Sequence, residues 1–473
     1  MSEYEIVIGL EVHAELNTKT KVFCSCKNGF GDRPNSNTCP VCVGLPGALP
    51  ILNKAAVEKT IVAGLTIGSS ISPVAVFERK NYFYPDLSKA YQISQLVKPI
   101  CVGGKITLDS GKEIRINRIH LEEDAGKLVH RESESFIDYN RGGVPLIETV
   151  TEPDLSSAEE AGEFLEKLRN NFVYAGIAEC RMERGEMRCD VNISVKKKGD
   201  TKLGTRTEMK NLNSFRSVKR AIQFEAERQI EELEKGNSIR QETRKWDDER
   251  GKSYSMRSKE ESQDYRYFPD PDILGVNISE EVVERLRKTL PLLPAQRKEL
   301  YVSTYALPEY DANILLSEKF ISDYFDRVNS IVNKPKQVSN WIMVNVLKTF
   351  KEKFCETLEE VISSDNLAEV IKMVEDKEIT RANGITLYEK LCEEGGEARK
   401  LAKELGYFNA GISDEELVKI IDEIFESNAS AKSDYAANPD KVINFFMGQL
   451  MKRTKGAAKV EKARPIIIEK LTK

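Results

Sequence analysis

Histidine is scarce in this chain, which has only three among its 473 residues. The sequence also lacks a Gly-x-Ser-x-Gly segment, a cysteine with a plausible histidine partner, and an amidase-like array of two serines and a lysine. We therefore do not expect an independent hydrolase or glutaminase here. The Gly-x-x-x-x-Gly-Lys-Ser/Thr loop is missing as well, so any ATP site is not of the P-loop type.

Long apolar runs are absent too. No stretch of about 18 apolar residues occurs, and no basic segment followed by an apolar one opens the chain, so we expect an unanchored cytoplasmic protein without a membrane partner. Hydrophobic residues make up 40% of the chain and charged residues 31%, which is typical of a globular protein. The length predicts roughly two to four domains.

Charge is unevenly distributed along the chain, whose net charge of -5 does not suggest a nucleic-acid binder overall. Residues 441–473 carry nine Lys/Arg against two Glu, a net +7. Residues 406–440 carry two Lys against eight Asp/Glu, a net -6. A basic terminal segment is typical of a phosphate-backbone contact, although a solvated charged run has the same pattern.

Four of the nine cysteines form two close pairs, Cys24-Ser-Cys26 and Cys39-Pro-Val-Cys42. In a cytosolic chain this arrangement indicates a structural zinc site rather than disulfides, although the first pair is closer than the usual spacing. The remaining five cysteines are scattered singly and are expected to be buried as small hydrophobic residues.

The N-terminal segment 4–16 alternates between apolar and polar residues, which predicts a strand. One face is apolar, and the other ends with Glu11, His13 and Glu15. An ordinary amphipathic strand is one interpretation. The other is a metal-binding wall, because carboxylate oxygen and imidazole are ligands of divalent cations.

Two further acidic clusters lie in predicted strands, at 120–126 and 138–148. Alternation puts Glu123 on the face of neighbouring aliphatic residues, and it places Glu148 in a similar setting. A carboxylate in such a position needs a partner or a metal. Each could be a buried ion-pair partner, but three clusters on three strands favour one shared cation, and the oxygen donors favour Mg²⁺.

A fourth set mixes acids and bases in an alternating pattern at 188–194 and 206–210. Basic residues beside acids suit a phosphate-bearing ligand, and solvated faces have the same pattern. The segment Arg79-Lys-Asn-Tyr-Phe-Tyr-Pro85 combines bases with aromatic rings, as nucleotide-stacking surfaces do, although a buried aromatic corner is an equal alternative.

The order of predicted elements indicates an α+β protein with three parts. Residues 1–290 are rich in short strands, with helices predicted at 54–65, after Ser156 or Ser157, and from Phe215 to Leu233. Strands disappear from about Pro291, and amphipathic helices follow. We place the domains at 1–290, 291–405 and 406–473.

Many segments in order along the chain resemble the GatB family of aspartyl/glutamyl-tRNA amidotransferase components. The clearest are Ile8-Gly-Leu-Glu-Val-His13, Arg79-Lys-Asn-Tyr-Phe-Tyr-Pro-Asp86, His120-Leu-Glu-Glu-Asp-Ala-Gly-Lys127, Pro145-Leu-Ile-Glu148, Arg188-Cys-Asp-Val-Asn-Ile-Ser194 and Lys210-Asn-Leu-Asn-Ser-Phe215. The resemblance implies a largely antiparallel cradle domain, a helical domain and a small YqeY-like helical tail that meets the tRNA.

The resemblance also implies an activity. ATP phosphorylates the side-chain carboxylate of misacylated Glu-tRNA(Gln) or Asp-tRNA(Asn), and ammonia then displaces phosphate. The ammonia comes from glutamine hydrolysed in an amidase-type partner, GatA, and a small partner, GatC, braces the complex. The resemblance implies that catalysis and Mg²⁺ binding involve Glu11, His13, Glu123 and Glu148, with Glu122 and Asp124 in support. It also implies that phosphate or substrate binding involves Arg79, Lys80, Arg188, Asp190, Glu208 and Lys210.

Two other interpretations compete with this one. A non-catalytic tRNA-binding scaffold of the same complex is disfavoured, because an inert protein has no reason to keep acids in apolar strands. The related archaeal-type protein usually carries a large inserted domain, for which 473 residues leave no room.

Overall fold

The computed structural model describes residues 3–131, 133–258, 264–408, 414–432, 435, 438–454, 458 and 460–472. The chain divides into two compact units, residues 1–297 and 298–473. Within the described ranges, no helix is both long and apolar enough to cross a membrane.

The longest strands of the first unit form its central sheet, and this unit contains all the described strands. They are β1 (Tyr4–Glu15), β2 (Ser70–Ile71), β3 (Val74–Ala75), β4 (Glu78–Asn81), β5 (Tyr91–Ser94), β6 (Cys101–Val102), β7 (Lys105–Thr107), β8 (Glu113–Glu123), β9 (Lys127–Arg131), β10 (Glu134–Asp138), β11 (Pro145–Thr151), β12 (Met187–Lys197), β13 (Thr207–Leu212), β14 (Glu242–Asp247), β15 (Lys252–Ser258), β16 (Phe268–Pro269) and β17 (Val276–Asn277).

Ten strands make one sheet in the order β15-β14-β13-β12-β1-β11-β8-β6-β2, with β7 paired to β8. All the described pairs in it are antiparallel except β13 with β14. Smaller sheets join β16-β4-β5, β9 with β10, and β3 with β17. The predicted α+β class is confirmed. The N-terminal strand lies at the centre of the sheet, which positions its polar face between two long neighbours.

Four of the described α-helices lie entirely within the first unit: α1 (Lys54–Thr66), α2 (Ala158–Tyr174), α3 (Phe215–Glu234) and α4 (Glu280–Arg287). The helix predicted after Ser156 or Ser157 begins at its N-cap Ser157, whose side chain accepts the backbone N–H of Glu160. The apolar stripes of α2 and α3 pack into the core against the sheet, where Phe164 and Val218 are completely buried. The helix predictions for this unit are therefore confirmed.

The two faces of β1 have different roles. Ile8, Leu10, Val12 and Ala14 are almost completely buried in the hydrophobic core. Side chains alternate along a strand, so the intervening residues point to the opposite face of the sheet. The sequence pattern of β1 thus predicted its burial, and the opposite face is left to polar residues.

Helices make up the second unit, as predicted from the loss of strand patterns. They begin near the boundary with α5 (Pro294–Glu299) and a π-helical turn (Leu300–Thr304). They continue with α6 (Glu309–Leu315), α7 (Lys319–Val332), α8 (Pro335–Trp341), a second π-helical turn (Ile342–Val346), α9 (Leu347–Lys353), α10 (Leu358–Val361), α11 (Ser364–Glu375), α12 (Arg381–Glu394), α13 (Ala398–Glu404), α14 (Asp414–Ser427), α15 (Ala429–Lys432), α16 (Pro439–Arg453) and α17 (Val460–Thr472).

The last helices have a hydrophobic cluster that includes Leu417, Phe446, Leu450 and Ile467. A separate domain boundary near residue 406 stays a prediction. Of the predicted tail, residues 409–413, 433–434, 436–437, 455–457, 459 and 473 lie outside the described residues.

Candidate active site and cysteine cluster

Five neighbouring strands bring polar side chains together on one face of the sheet. In the register, Glu148 of β11 is paired with His13 of β1 on one side and with His120 of β8 on the other. Glu11 is paired with Asp190 of β12, and the next strand adds Glu208. We call this surface the acidic wall, and it consists of Glu11, His13, His120, Glu122, Glu148, Asp190 and Glu208.

His13, Glu122 and Glu148 form the first group of potential metal ligands in the wall. The Nδ1 atom of His13 lies 3.6 Å from Glu122 Oε1 and 3.9 Å from Glu148 Oε2. This nitrogen is buried and has no hydrogen-bond partner among the described residues. Ligands about 2.1 Å from Mg²⁺ lie roughly 3–4 Å apart, so these donors fit one cation.

His120 contacts both glutamates of this group: its Nε2 atom lies 3.5 Å from Glu122 Oε2 and 3.4 Å from Glu148 Oε2. Burial disfavours the imidazolium, but the two carboxylates outweigh burial and raise the pKa of His120 to about 9. Burial also disfavours the Glu122 carboxylate, yet its contacts with His120 and His13 hold the pKa well below its usual value. The two histidines therefore keep these glutamates ionised in a buried setting.

A second group of acids lies beside the first and comprises Glu11, Asp190 and Glu208. Burial raises the pKa of Glu11, and the nearby Glu148 adds to this shift. Asn192 donates a 2.9 Å hydrogen bond to Glu11 Oε1. This group also has the donor chemistry of a cation site.

Lys210 neutralises part of the second group. Its ammonium contacts Asp190 and lies 3.0 Å from Glu208 Oε1. Burial disfavours the ammonium, but the two carboxylates outweigh burial and raise the pKa of Lys210 above its ordinary value. Because the second group carries its own ammonium, it is less negative than its three carboxylates suggest. The structure thus brings together Glu11, Asp190, Glu208 and Lys210, four of the residues predicted from sequence.

Glu123 does not join the acidic wall, which differs from the expectation that it shares a cation with His13 and Glu148. It follows Glu122 at the end of β8, so its side chain points to the other face. There it accepts hydrogen bonds of 2.5 and 2.6 Å from Lys89 Nζ and one of 3.0 Å from the backbone N–H of Ile93. Glu122, expected only in support, takes the position in the wall.

Arg79 and Lys80 also have different surroundings. Arg79 is engaged by Asp270 at 2.7 Å and by Asp272 at 2.8 Å, which leaves it poorly placed for a phosphate. Lys80 is largely buried, with its ammonium 4.9 Å from the centroid of the Tyr265 ring. Burial disfavours this ammonium, but Glu122 and the other acidic groups around it, including Glu148, together outweigh burial and raise the pKa of Lys80. Lys80 is therefore a cation that faces the wall.

Arg188 of β12 is paired with His13 in the register, and its side chain donates a 2.6 Å hydrogen bond to Asp124 Oδ2. Burial raises the pKa of the neighbouring Glu15 to about 8, and the Asp124 carboxylate adds to the shift. Arg188 thus has an internal acidic partner, and Asp124 supports it rather than joining either group of metal ligands.

The cysteine pairs converge as predicted. Cys24 and Cys42 have Sγ atoms 3.5 Å apart, and those of Cys39 and Cys42 are 3.7 Å apart. Cys26 completes the cluster. Four thiolates about 2.3 Å from a tetrahedral zinc ion lie about 3.8 Å apart, so the geometry fits zinc. A hydrogen bond from Cys24 and the charge of Lys21 lower the pKa of Cys42 to about 4, against the effect of burial.

Sequence reasoning missed two lysines near these sites, Lys21 and Lys89. Each is a single basic residue without a motif that marks it. Lys21 is fully buried beside the cysteine cluster, and Lys89 is the partner of Glu123. The apolar setting of Glu123 was a usable signal, since such an acid needs a cation from elsewhere in the chain.

Comparison with known proteins gives the same family as the resemblance seen in the sequence. The family model described as "GatB/GatE catalytic domain" matches residues 6–284, and the one described as "GatB domain" matches residues 323–471. The chain is similar to the B component of the aspartyl/glutamyl-tRNA(Asn/Gln) amidotransferase from Caldicellulosiruptor bescii, with 48% identity over 100% of both chains. It is 45% identical to the same component from Persephonella marina, over 99% of this chain and 98% of the relative. With matches of this extent, the chain belongs to the GatB family of aspartyl/glutamyl-tRNA(Asn/Gln) amidotransferase components.

Proposed function

We propose that this protein activates the side-chain carboxylate of Glu-tRNA(Gln) or Asp-tRNA(Asn) with ATP and then amidates it. The acidic wall carries this proposal, because it combines two groups of cation ligands with the ammonium groups of Lys80 and Lys210. Phosphoryl transfer between two anions requires this combination of positioning and charge neutralisation. A scaffold would have no use for it.

In the first step, a carboxylate oxygen of the aminoacyl group attacks the γ-phosphorus of ATP, and ADP leaves. Mg²⁺ held by His13, Glu122 and Glu148 would neutralise negative charge on the phosphate oxygens. The group of Glu11, Asp190 and Glu208 is a candidate second position. Lys80 places positive charge near Glu122 of the first group, and Lys210 contacts Asp190 of the second group. These charges would orient the anionic substrates.

In the second step, ammonia attacks the acyl phosphate, and the amide forms as phosphate leaves. We propose that the ammonia comes from glutamine hydrolysed in an amidase-type partner, GatA, with GatC as the small partner. This division of labour agrees with the lack of a glutaminase motif in the sequence. Because its substrate is an aminoacyl-tRNA, we propose a cytoplasmic location.

We further propose that the four-cysteine cluster holds one structural zinc ion. A Cys₄ site leaves no open ligand position, so it stabilises the surrounding segment rather than acting in catalysis. Metal analysis of the purified protein should find about one zinc per chain, and a Cys39→Ser variant should lose it. A folded, zinc-free wild-type protein would refute this assignment.

The decisive experiment is amide formation by the reconstituted complex. The chain would be co-expressed with its amidase and small partners and supplied with ATP, Mg²⁺, glutamine and either Glu-tRNA or Asp-tRNA. We expect Gln-tRNA or Asn-tRNA from the wild type and none from Glu148→Gln. Glu113→Gln is a matched control, because Glu113 is half exposed at the far end of β8 and pairs with Lys105.

The outcomes separate the two candidate functions. Product from wild type and from Glu113→Gln, but not from Glu148→Gln, supports the reaction and the site together. An assembled complex that binds tRNA but forms no product with either tRNA would favour the scaffold instead. Product from Glu148→Gln at the wild-type rate would remove this residue from the active site.

A further inference from the structure

A cavity of about 510 Å³ lies at the end of β1. It is lined by Glu15, which lies two residues beyond His13 on β1, by the segment around Phe30 from the cysteine region, and by Arg141 and Arg184. The cavity therefore lies between the end of the strand that carries Glu11 and His13 and the loop between the two cysteine pairs, and no residue of the acidic wall lines it. Neither phosphoryl transfer at the wall nor zinc binding by the cysteines involves it.

Phe30 is the unusual residue of this cavity. Its side chain lies between Gly29 and Gly31 and is 72% exposed, with the Arg184 guanidinium 5.6 Å from the ring centroid. The loop is held in place, because Lys27 pairs with Asp32 at 2.8 Å and Asn28 donates a 3.0 Å hydrogen bond to the Leu16 carbonyl. A fixed, exposed ring beside a guanidinium is the arrangement on which nucleobases stack.

The cavity contains basic side chains beside its acids. Two of the acids have cationic partners: Glu186 pairs with Arg181, and Asp32 pairs with Lys27, each at 2.8 Å. Lys127 and Arg184 also line the cavity. Their positive charge is available to a phosphate next to a stacked base.

We propose that this cavity binds an adenosine nucleotide, with the base stacked on Phe30 and a phosphate near Arg184. The inference rests on the proposed function, since both of its substrates carry adenosine: ATP, and the 3′-terminal nucleotide of the aminoacyl-tRNA. The shared chemistry is a purine ring followed by a phosphate. Separate KM values for ATP and for aminoacyl-tRNA distinguish the two sources.

The test measures KM for ATP and for aminoacyl-tRNA separately in the assembled complex. Phe30→Ala should raise one of these constants by about fivefold or more, which is the size of a lost base–aromatic stack. Phe30→Tyr, which keeps the ring, should recover most of the loss. Phe136→Ala is the matched control, because Phe136 is 51% exposed with Arg131 at 5.9 Å but does not line the cavity.

A rise confined to KM for ATP would assign the cavity to ATP, and one confined to KM for aminoacyl-tRNA would assign it to the tRNA end. Unchanged constants in Phe30→Ala would overturn the proposal while the proposed function stands. Equal effects of Phe136→Ala would also overturn it. A wild-type complex without amidation would instead refute the proposed function.

A second and independent observation concerns Lys21, whose side chain is completely buried. Its ammonium donates to the Tyr139 carbonyl at 3.0 Å and lies 3.4 Å from Cys42 Sγ. A buried ammonium is costly unless charge and hydrogen bonds compensate it. A zinc ion with four thiolates has a net charge of about -2, so it supplies that compensation.

We infer that Lys21 is the charge-balancing partner of the cysteine site. It would reduce the net charge of the buried centre by one and tie Cys42 to the backbone at Tyr139. Partners of this kind orient metal ligands, and their loss typically weakens metal binding by about 10- to 100-fold. This inference rests on the proposed zinc site.

Zinc affinity, measured by competition with a chelator, tests the inference in the full-length protein. Lys21→Met should weaken affinity by at least about tenfold, and Lys27→Met should not, because Lys27 is 63% exposed and pairs with Asp32. Lys21→Gln, which keeps a hydrogen-bond donor without the charge, gives a second variant should methionine impair folding, and it should also bind zinc more weakly. The Co²⁺ spectrum should still report four thiolates. Wild-type affinity in either Lys21 variant would overturn the inference, whereas zinc-free wild-type protein would refute the zinc site itself.

Discussion

Glu122 and Glu123 are neighbours at the end of β8, and removing the charge of each should have a different effect on the protein. Glu122 belongs to the acidic wall, so Glu122→Gln should lose Mg²⁺ binding and Mg²⁺-dependent phosphorylation. It should be less destabilised than Glu123→Gln, because Glu148 remains beside His120 and the imidazole can release its proton once Glu122 has lost its charge. Isothermal titration with Mg²⁺ and a phosphorylation assay measure this effect.

Glu123→Gln should instead destabilise the protein. Its side chain and that of Lys89 are only 6% and 14% exposed, and the loss of one charge from a buried pair costs about 3–5 kcal/mol. Glutamine can still accept the backbone N–H of Ile93, so we take the lower value, about 3 kcal/mol. At about 2–4 °C per kcal/mol, the Tm should fall by about 6–12 °C.

Differential scanning calorimetry of both variants, with Glu113→Gln as the control, decides between these outcomes. The reasoning fails if Glu123→Gln keeps the wild-type Tm but loses Mg²⁺ binding. It also fails if Glu122→Gln binds Mg²⁺ normally. The first result would place the metal on the face of Glu123, and the second would remove Glu122 from the metal site.

Three further predictions concern pH, the second acidic group and the tail. In metal-free protein, the raised pKa of His120, about 9 against 6.5, should contribute about 3 kcal/mol of stability. This contribution should be fully present below pH 6.5 and lost as pH rises through 9. Urea unfolding at several pH values checks this, and a stability that does not change with pH would contradict it. Asp190→Asn should leave Lys210 with fewer anionic partners and lower its pKa, so phosphorylation should fall at high pH before that of the wild type; identical pH profiles would exclude the pairing. Replacement of the exposed Lys441 and Lys452 by glutamine should make the slope of log affinity for tRNA against log salt concentration shallower, by the equivalent of up to two phosphate contacts. An unchanged slope would refute a tRNA contact by α16.

Local patterns in the sequence were enough for much of the fold. The alternation in β1 predicted which of its faces is buried, because side-chain direction in a strand depends only on position. The cap of α2 and the apolar stripe of α3 predicted those helices for a similar reason, since both signals act within a few residues. The spacing of the paired cysteines likewise predicted their cluster.

The composition of the acidic wall depended on tertiary structure. Alternation separates Glu122 from Glu123, but it does not say which of these faces meets His13 and Glu148. That was decided by the strand order and by the register that pairs Glu148 with both histidines. Lys89 and Lys21 reach their partners from distant parts of the chain, where no local pattern marks them.

The sequence by itself therefore determined the family, the elements and the residue types available for chemistry. Only the tertiary structure decided which acids share a site, because proximity across strands is set by register and packing over the whole sheet. It also decided that Arg79 and Glu123 are engaged by internal partners of opposite charge. Burial makes such pairing obligatory, and a partner can come from any point of the chain that the fold brings within reach.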